Sequence, residues 1–517
     1  MTALIIHGHF YQPPRENPWT GRIDVELGAA PYHDWNERIH AECYGPNAAA
    51  HIAGANAGDD SVINNYANIS FDFGPTLLWW LEREQSSTYA RIIAADQQSV
   101  NQHGGHGNAI AQAYNHAILP LCNEPDQRTQ VRWGLADFRH RFAREAESMW
   151  LPETACNDGV LGLLIDEGLR FVILSPQQVK RIRRATATPA DSWVDIAGGD
   201  IDTSVAYNYF HRDGSGRAIV VFFYDPEIAR AIAFEQALSS SATLVQSFRR
   251  RATGSGELVN AATDGESYGH HHKFGDLCLA HALTIEAPAG GFVLTNYGEY
   301  LDQHPAIMEV EINNGSEGEG SSWSCSHGVS RWLRDCGCHT GGEPGWNQSW
   351  RGPLRQALDF LRDEASTWFE ATRGDVFVDP WAARDASIAL ILNDTKSRED
   401  FLRQHASRPL GADEARRALL FLEMQRNLLL MYTSCGWFFN DISGIEPVQI
   451  LKYACRAIEL MDRLGLPSPR RRFLDLLAEA KSNRSEMGNG ADIYQRLVEP
   501  TNPSFRLVTQ TLSLHAG

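Results

Sequence analysis

The feature that most constrains this chain is one arrangement used again and again: a short apolar run, a polar side chain at its end, then a helical segment. The runs cover residues 3–6, 69–71, 91–95, 148–151, 170–174, 218–224, 258–262 and 292–295. Most lack strict alternation, as strands buried on both faces do. Helical patterns such as 129–147 and 227–250 lie between some of them. Strand-then-helix order predicts parallel strands, in an open sheet or a barrel. The polar groups that close the runs are His7 and His9, Asp72, Asp96, Glu153, Ser175, Asp225, Asp264 and Asn296. Sites in parallel α/β folds lie at the C-terminal strand ends. This set therefore predicts a barrel mouth rich in carboxylates and histidines.

Around residue 311 the texture changes. Residues 311–322 are rich in Gly, Ser and Glu and read as a linker or loop. Beyond them apolar residues fall at helical spacing: Leu354, Leu358, Leu361, Ala365 and Trp368, then Leu420, Met424, Leu428 and Met431, then Val448, Leu451, Cys455 and Ile458. Each stripe is one buried helix face. The predicted organisation is a barrel over 1–310, the linker over 311–322 and an α-helical domain over 323–517. A length of 517 residues has room for this. Trp79 and Trp80, between Leu77 and Leu81, read as core.

Bulk properties exclude several function classes. A formal net charge of −18 disfavours a nucleic-acid backbone as partner. It leaves a neutral polymer open. No run approaches the ~20 apolar residues of a membrane helix. The N-terminus lacks the basic region of a signal peptide and reads as a first strand. Nine cysteines at irregular spacing read as reduced thiols in a cytosolic protein. The Gly-rich string at Gly104, Gly105 and Gly107 lacks the layout of a nucleotide-binding loop.

Two motifs carry candidate chemistry. In Met149-Trp150-Leu151-Pro152-Glu153 a strand ends at a proline, and a carboxylate follows beside a tryptophan. Aromatic faces suit the apolar C–H faces of sugar rings. In Asp264-Gly265-Glu266-Ser267-Tyr268-Gly269-His270 two carboxylates lie close together. Such neighbours raise one another's pKa, which would hold Asp264 protonated near neutral pH. Either motif alone also reads as a surface turn. His7 and His9 alternate along the first strand's exit and so point the same way; they read as buried hydrogen-bonded histidines or as a metal pair.

Together these motifs resemble those of glycoside hydrolase family 57. The first resembles His7-Gly8-His9-Phe10-Tyr11-Gln12-Pro13, with two residues between His9 and Gln12 where many members have none. The nucleophile motif resembles Trp150-Leu151-Pro152-Glu153, and the acid/base motif resembles Asp264 to His270. Gly298-Glu299-Tyr300-Leu301 and Ser322-Trp323 follow in the family's order. The weakest match, for the second motif, runs from His106 to His116. The strings Ser324 to Val329 and Ser434 to Asp441 resemble a bacterial branch of the family with an added C-terminal helical domain.

The resemblance implies an incomplete (β/α)7 barrel followed by a helical domain. It implies α-retaining hydrolysis or glucan transfer without a cofactor or metal, on an α-glucan or maltooligosaccharide. Glu153 would be the nucleophile and Asp264 the acid/base, with carboxyls about 5–5.5 Å apart. His7, His9, Gln12, Trp150, Glu266, Tyr268, His270, Trp323 and Trp437 would bind substrate. For Trp437 the residues themselves also permit a place in the helical core.

Two other classes compete. A metal-dependent polysaccharide deacetylase-like enzyme would use His7, His9 and Asp72 as ligands. A non-catalytic glucan-binding protein would need neither carboxylate. Cys325-x-His327 and Cys336-x-Cys338-His339 depart from the usual Cys-x2–4-Cys zinc spacing, and read as reduced, partly buried thiols.

Overall fold

The structure is a computed structural model that describes residues 1–52, 61–184, 193–252, 257–392 and 398–503. The last residues of the expected helical domain, 504–517, lie outside the described residues. Two compact units divide the chain. The first holds residues 1–12, 25–114 and 138–323; the second holds 13–24, 115–137 and 324–517.

The first unit is built on β1 (Thr2–Phe10), whose last seven residues are buried. Along one edge β1 pairs in parallel with β7 (Leu258–Asp264), from Ala3 opposite Leu258 to His9 opposite Asp264. Along the other edge its second half pairs in parallel with β2 (Ser70–Phe73), where His9 faces Asp72. The strand Phe292–Leu294 takes the first half of that edge. From β2 the parallel order continues. Phe71 bridges to Ala109, next to β3 (Ala111–Gln112). β3 pairs with β4 (Met149–Trp150), and Ser148 bridges to Phe171 at the start of β5 (Phe171–Leu174). β5 pairs with β6 (Ala218–Phe223).

Seven parallel strands thus follow one another, and the ring stops short of a closed ladder. The outer edge of β6 is taken by an antiparallel strand, Ala206–Phe210. That strand leads on to Met308–Ile312, Val179–Arg184 and Val194–Asp195. Between β6 and β7 single contacts remain: Asp225 N donates to Asn260 O at 2.8 Å, and Asn260 Nδ2 donates to Phe223 O at 3.2 Å. This is an incomplete (β/α)7 barrel, with a core of Ile5, Trp150, Phe171, Ile173, Phe222 and Ala262 among others.

Several expected elements differ. Residues 91–95 lie in the helix Ser86–Gln102, where Ile92, Ala95 and Ser99 form the buried face. Asp96 is therefore no strand end. It is buried, paired with Arg144 at 2.8 Å, and accepts from Ala109 N. The expected helix 227–250 is two, Pro226–Phe234 and Ser241–Arg251, because Ser240 caps the second by accepting from Thr243 N. The expected helix 129–147 is Glu124–Phe142. Ser175, Asp225 and Asn296 are buried N-cap residues of the segments that follow their strands. Trp80 is core, whereas Trp79 is half-buried with the Arg83 guanidinium 4.2 Å above its ring. Residues 313–323 have no helix or strand and turn back to the barrel, where Ser321 bridges to Cys156.

The second unit is helical. Arg351–Glu370, Ala412–Leu430 and Ile445–Arg463 bury most of the predicted stripes, with Phe369 in the core and Trp368, Leu420 and Val448 half-buried. A buried ion pair joins Arg384 to Asp126 at 2.7 Å, and Gln425 Oε1 accepts from the same guanidinium nitrogen at 3.0 Å. No described helix is long and apolar enough to cross a membrane.

Phe10 closes the end of β1, stacked on Phe73 at 4.9 Å and edge-on to Tyr66 at 5.2 Å. It leaves Gly265 no room: a Cβ there would lie 2.3 Å from the Phe10 ring. Gly265→Ala is expected to destabilise by about 1–3 kcal/mol through overpacking. A urea midpoint equal to that of the parent would show that the ring swings aside freely.

Candidate active site

The strand register sets the chemistry of the mouth. His9 stands level with Asp264 on one neighbour and with Asp72 on the other. Asp72 is fully buried and serves two histidines: His7 Nε2 at 3.1 Å from Oδ1, and His9 Nδ1 at 2.9 Å from Oδ2. His7 Nδ1 also lies 3.1 Å from Ser70 Oγ. Trp150 is buried beneath both rings, stacked at 4.8 Å on His7 and 5.0 Å on His9.

The two histidines carry different charge. Burial pushes the His7 pKa down, and Asp72 does not offset it, so the ring is neutral near pH 7. Burial pushes His9 down as well. There the Asp72 carboxylate more than compensates, helped by the charges of Asp264 and Glu266, and lifts His9 to about 9. His9 is an imidazolium at the strand end.

Glu153 follows the proline that ends β4, in the turn Pro152–Thr154. Its backbone is left-handed, with φ 58° and ψ 22°, and Thr154 follows with φ 51°. Two successive non-glycine residues in this region are strained, and surrounding contacts must hold them. Thr154 N donates to Leu151 O at 2.7 Å, and Trp323 N donates to Glu153 O at 3.0 Å. The indole N–H of Trp323 donates to Glu153 Oε2 at 2.9 Å. Trp323 stands edge-on to Trp150 at 5.1 Å. It thus fixes both the backbone and the carboxylate of Glu153.

Asp264 is reached by solvent although protein surrounds it on most sides. Burial lifts its pKa, the His9 cation opposes, and the charges of Glu153 and Asp72 lift it further, to about 6. Solvent contact moderates the size of this lift but not its direction. Glu153 and Asp72 are carboxylates that raise Asp264, while its repulsion with the neighbouring Glu266 lifts Glu266. Glu266 is 6% exposed and is itself lifted to about 7, by burial and by Asp264. Tyr44 Oη donates to Glu266 Oε1 at 2.5 Å and Tyr11 N donates to it at 3.1 Å.

The remaining expected residues are spread more widely. His270 pairs through Nδ1 with Glu42 and stands edge-on to Trp35 at 6.3 Å. Gln12 Nε2 donates to Tyr11 O at 3.1 Å. Tyr268 is fully buried and its hydroxyl accepts from Thr263 Oγ1 at 3.3 Å, a core position. Trp437 is buried inside the helical unit, its N–H donating to Arg351 O at 3.3 Å. His106, from the weakest motif, precedes β3 and pairs with Glu147 and Asp302. Glu42, Tyr44 and Ser70 belong to the network and carried no signal in the sequence.

The metal reading of His7, His9 and Asp72 meets an obstacle. Both nitrogens of His7 and both oxygens of Asp72 are engaged in hydrogen bonds within the cluster. Among the described residues, the group of donors close enough to share one ion is elsewhere. Cys325, His327, Cys336 and Cys338, whose cysteines read as reduced, partly buried thiols, converge in the helical unit. His339 stays apart, its Nδ1 at 3.0 Å from Gly341 O.

The lifted pKa of Glu266 makes a stability prediction. From an ordinary value of 4.5, the folded state keeps a proton until about 7. Its contribution is complete below pH 4.5 and lost as pH rises through about 7, up to roughly 3 kcal/mol. Glu266→Gln should flatten this fall in denaturation curves recorded from pH 4 to 8. Parallel pH dependences in the two proteins would contradict it.

Comparison with known proteins bears on the same residues. The profile of glycosyl hydrolase family 57 matches residues 19–313, and that of a domain of unknown function, DUF3536, matches 346–516. No match was found among curated proteins. Among solved structures, the chain is similar to an exo-type maltose-forming amylase from Pyrococcus sp. ST04, with TM-score 0.67 and 14% identity over 99% of this chain and 94% of that one. It is similar to a 4-alpha-glucanotransferase from Thermococcus litoralis, with TM-score 0.51 and 13% identity over 90% of this chain and 60% of that one. It is also similar to a family 57 branching enzyme from Thermococcus kodakaraensis, with TM-score 0.50 and 13% identity over 98% of this chain and 95% of that one. At such identities the likeness is one of fold. The family profile, however, spans more than half of the chain and includes Glu153, Asp264 and Glu266: this chain belongs to glycosyl hydrolase family 57.

Proposed function

We propose that the protein is a retaining enzyme of α-linked glucans, a hydrolase or a glucanotransferase, with Glu153 as nucleophile and Asp264 as acid/base. The observation that carries this reading is electrostatic. Asp264 sits at the strand end with its carboxyl raised to about 6, in part by the charge of Glu153, from which it is separated by 111 positions. A carboxyl lifted toward its protonated form beside a second carboxylate is the arrangement that acid-assisted covalent glycoside cleavage uses.

In this reading Glu153 attacks the anomeric carbon while Asp264 gives its proton to the departing glycosidic oxygen. The glycosyl–Glu153 ester then yields to water or to a sugar hydroxyl, whose proton returns to Asp264. The His9 imidazolium lies level with Asp264. It offers positive charge at the mouth, favours Asp264 as an anion in the second step, and binds a sugar hydroxyl. Trp323 holds Glu153 in line. The similar structures named above are a maltose-forming amylase, a 4-alpha-glucanotransferase and a branching enzyme. Amylose, glycogen and maltooligosaccharides are accordingly the substrates to offer, and chain-length redistribution without new reducing ends identifies transfer. Nine cysteines without a disulfide support a cytoplasmic location.

Glu153→Gln and Asp264→Asn are each expected to lower turnover of maltoheptaose by roughly 10³-fold or more. Glucan turnover at the parent's rate in either variant removes this assignment. The free-enzyme profile of kcat/KM should fall on the alkaline side near pH 6, where Asp264 loses its proton. Trp323→Phe loses one hydrogen bond to a charged carboxylate, about 1.5–3 kcal/mol, and kcat should drop roughly 10- to 100-fold. A change confined to KM would make Trp323 a substrate contact alone.

A further inference from the structure

We propose that Cys325, His327, Cys336 and Cys338 bind a single zinc ion that staples the irregular start of the helical unit. The four donor atoms lie within 4.8 Å of one another. Cys325 Sγ is 3.8 Å from Cys336 Sγ and 3.8 Å from Cys338 Sγ, and Cys338 Sγ is 3.4 Å from His327 Nδ1. Zinc–sulfur bonds of about 2.3 Å and zinc–nitrogen bonds of about 2.0–2.1 Å in a tetrahedron put sulfurs about 3.8 Å apart and sulfur about 3.5–3.6 Å from nitrogen. These three edges are close to those of such a tetrahedron, and the other three are no longer than 4.8 Å.

The alternatives fit less well. A disulfide pairs two sulfurs at about 2.05 Å and leaves the third aside, whereas Cys325 is equidistant from two partners. A multi-iron cluster spreads its thiolates over several metals and needs wider separations. Four protein donors on one point leave no open position, so the site is structural rather than catalytic.

The surroundings independently call for negative charge. Arg331 and Arg351 are 6% and 0% exposed. Among the described residues neither has a carboxylate in ion-pair contact, and the Nε of each is buried without a hydrogen-bond partner. Buried cations normally have a counter-charge. Zinc binding releases three thiol protons to solvent, and Zn²⁺ with three thiolates and a neutral imidazole carries one net negative charge.

The site also has something to hold. Between Cys325 and His339 only the single turn Ser330–Trp332 is regular. Arg351 Nη1 donates to Cys338 O at 2.8 Å, while its Nη2 donates to Phe438 O and Phe439 O at 3.2 Å each. The next loop residue, Thr340, donates through its N–H to Asn440 Oδ1 at 2.9 Å. The staple thus ties the segment 325–341 to the aromatic turn 437–440. It lies between the ranges matched by the two family profiles, and the inference stands apart from the glucan chemistry proposed above.

The test is metal analysis of the full chain, purified without a metal-binding tag or chelator. About one zinc per chain is expected, with X-ray absorption giving three sulfurs near 2.3 Å and one nitrogen near 2.0 Å. Alkylating or mercurial reagents should release that zinc from the folded parent protein. Cys338→Ser should lower zinc content at least roughly tenfold, whereas Cys122→Ser, outside the cluster, should keep it. Because a staple variant can fail to fold, the parent's own stoichiometry decides. Fewer than about 0.1 zinc per chain with all thiols reduced, after zinc has been offered during expression, would overturn the proposal. So would a visible iron–thiolate spectrum with stoichiometric iron.

Discussion

The pairing of β1 with its two neighbours is the constraint on which the rest of the first unit depends. Seven parallel rungs tie it to β7 and four tie it to β2, and on both sides His9 is level with an aspartate. Side chains alternate between faces along a strand, so a slip of one residue would send His7 and His9 to the other face. Asp72 would then be left buried without either partner. The register is held by apolar residues earlier on the strand, Leu4, Ile5 and Ile6, which are at most 2% exposed. Core packing at one end of the strand therefore decides which charges meet at the other.

Those charges are closely balanced. The buried mouth holds one imidazolium, His9, against the Asp72 carboxylate, while burial pushes the His7 pKa down. Asp264 and Glu266 sit at their midpoints near 6 and 7. The carboxylate of Glu153 adds negative charge at the same place, and adding ionised Asp264 and Glu266 would make the site strongly anionic in partly dry surroundings. The cheapest way to hold this many carboxylates together is to protonate some of them. A general acid needs the same thing, so the crowding that costs stability also readies Asp264 for its role.

Much of this was legible in the sequence. Buried parallel strands leave apolar runs, and seven of the eight runs are strands in the structure. The exception, 91–95, is apolar enough for a strand but continues a helical face through Ser99. Among the strands that were missed, Ala206–Phe210 and Met308–Ile312 alternate or carry charge because they belong to the half-exposed sheet that diverts β6 from closing the barrel. Short motifs pointed to Glu153, Asp264 and Glu266. They could not reveal Glu42 or Tyr44, which reach the site from a helical turn with no distinctive spacing. Polar strand ends also overstated the site: the side chains of Asp225 and Asn296 serve backbone N–H groups instead. In the helical unit the Cys-x-His and Cys-x-Cys bites looked too tight to matter, because the loop that folds them onto each other leaves no periodic trace.

The Gly- and Ser-rich stretch after residue 311 shows how composition can hide a structural duty. Its residues are small and polar because its backbone runs close against the barrel. Asn314 Oδ1 accepts from Asp158 N at 2.8 Å, and Gln178 Nε2 donates to Ser321 O at 3.1 Å. Cys156 and Ser321 exchange backbone hydrogen bonds at 3.0 Å in each direction. The stretch ends at Trp323, which grips Glu153 by backbone and by indole. A left-handed glutamate relaxes unless something holds it, and here the holder arrives from 170 positions away. Loosening this segment far from Glu153, for instance at Asn314 or Ser321, would be felt first as a misplaced carboxylate and only later as unfolding.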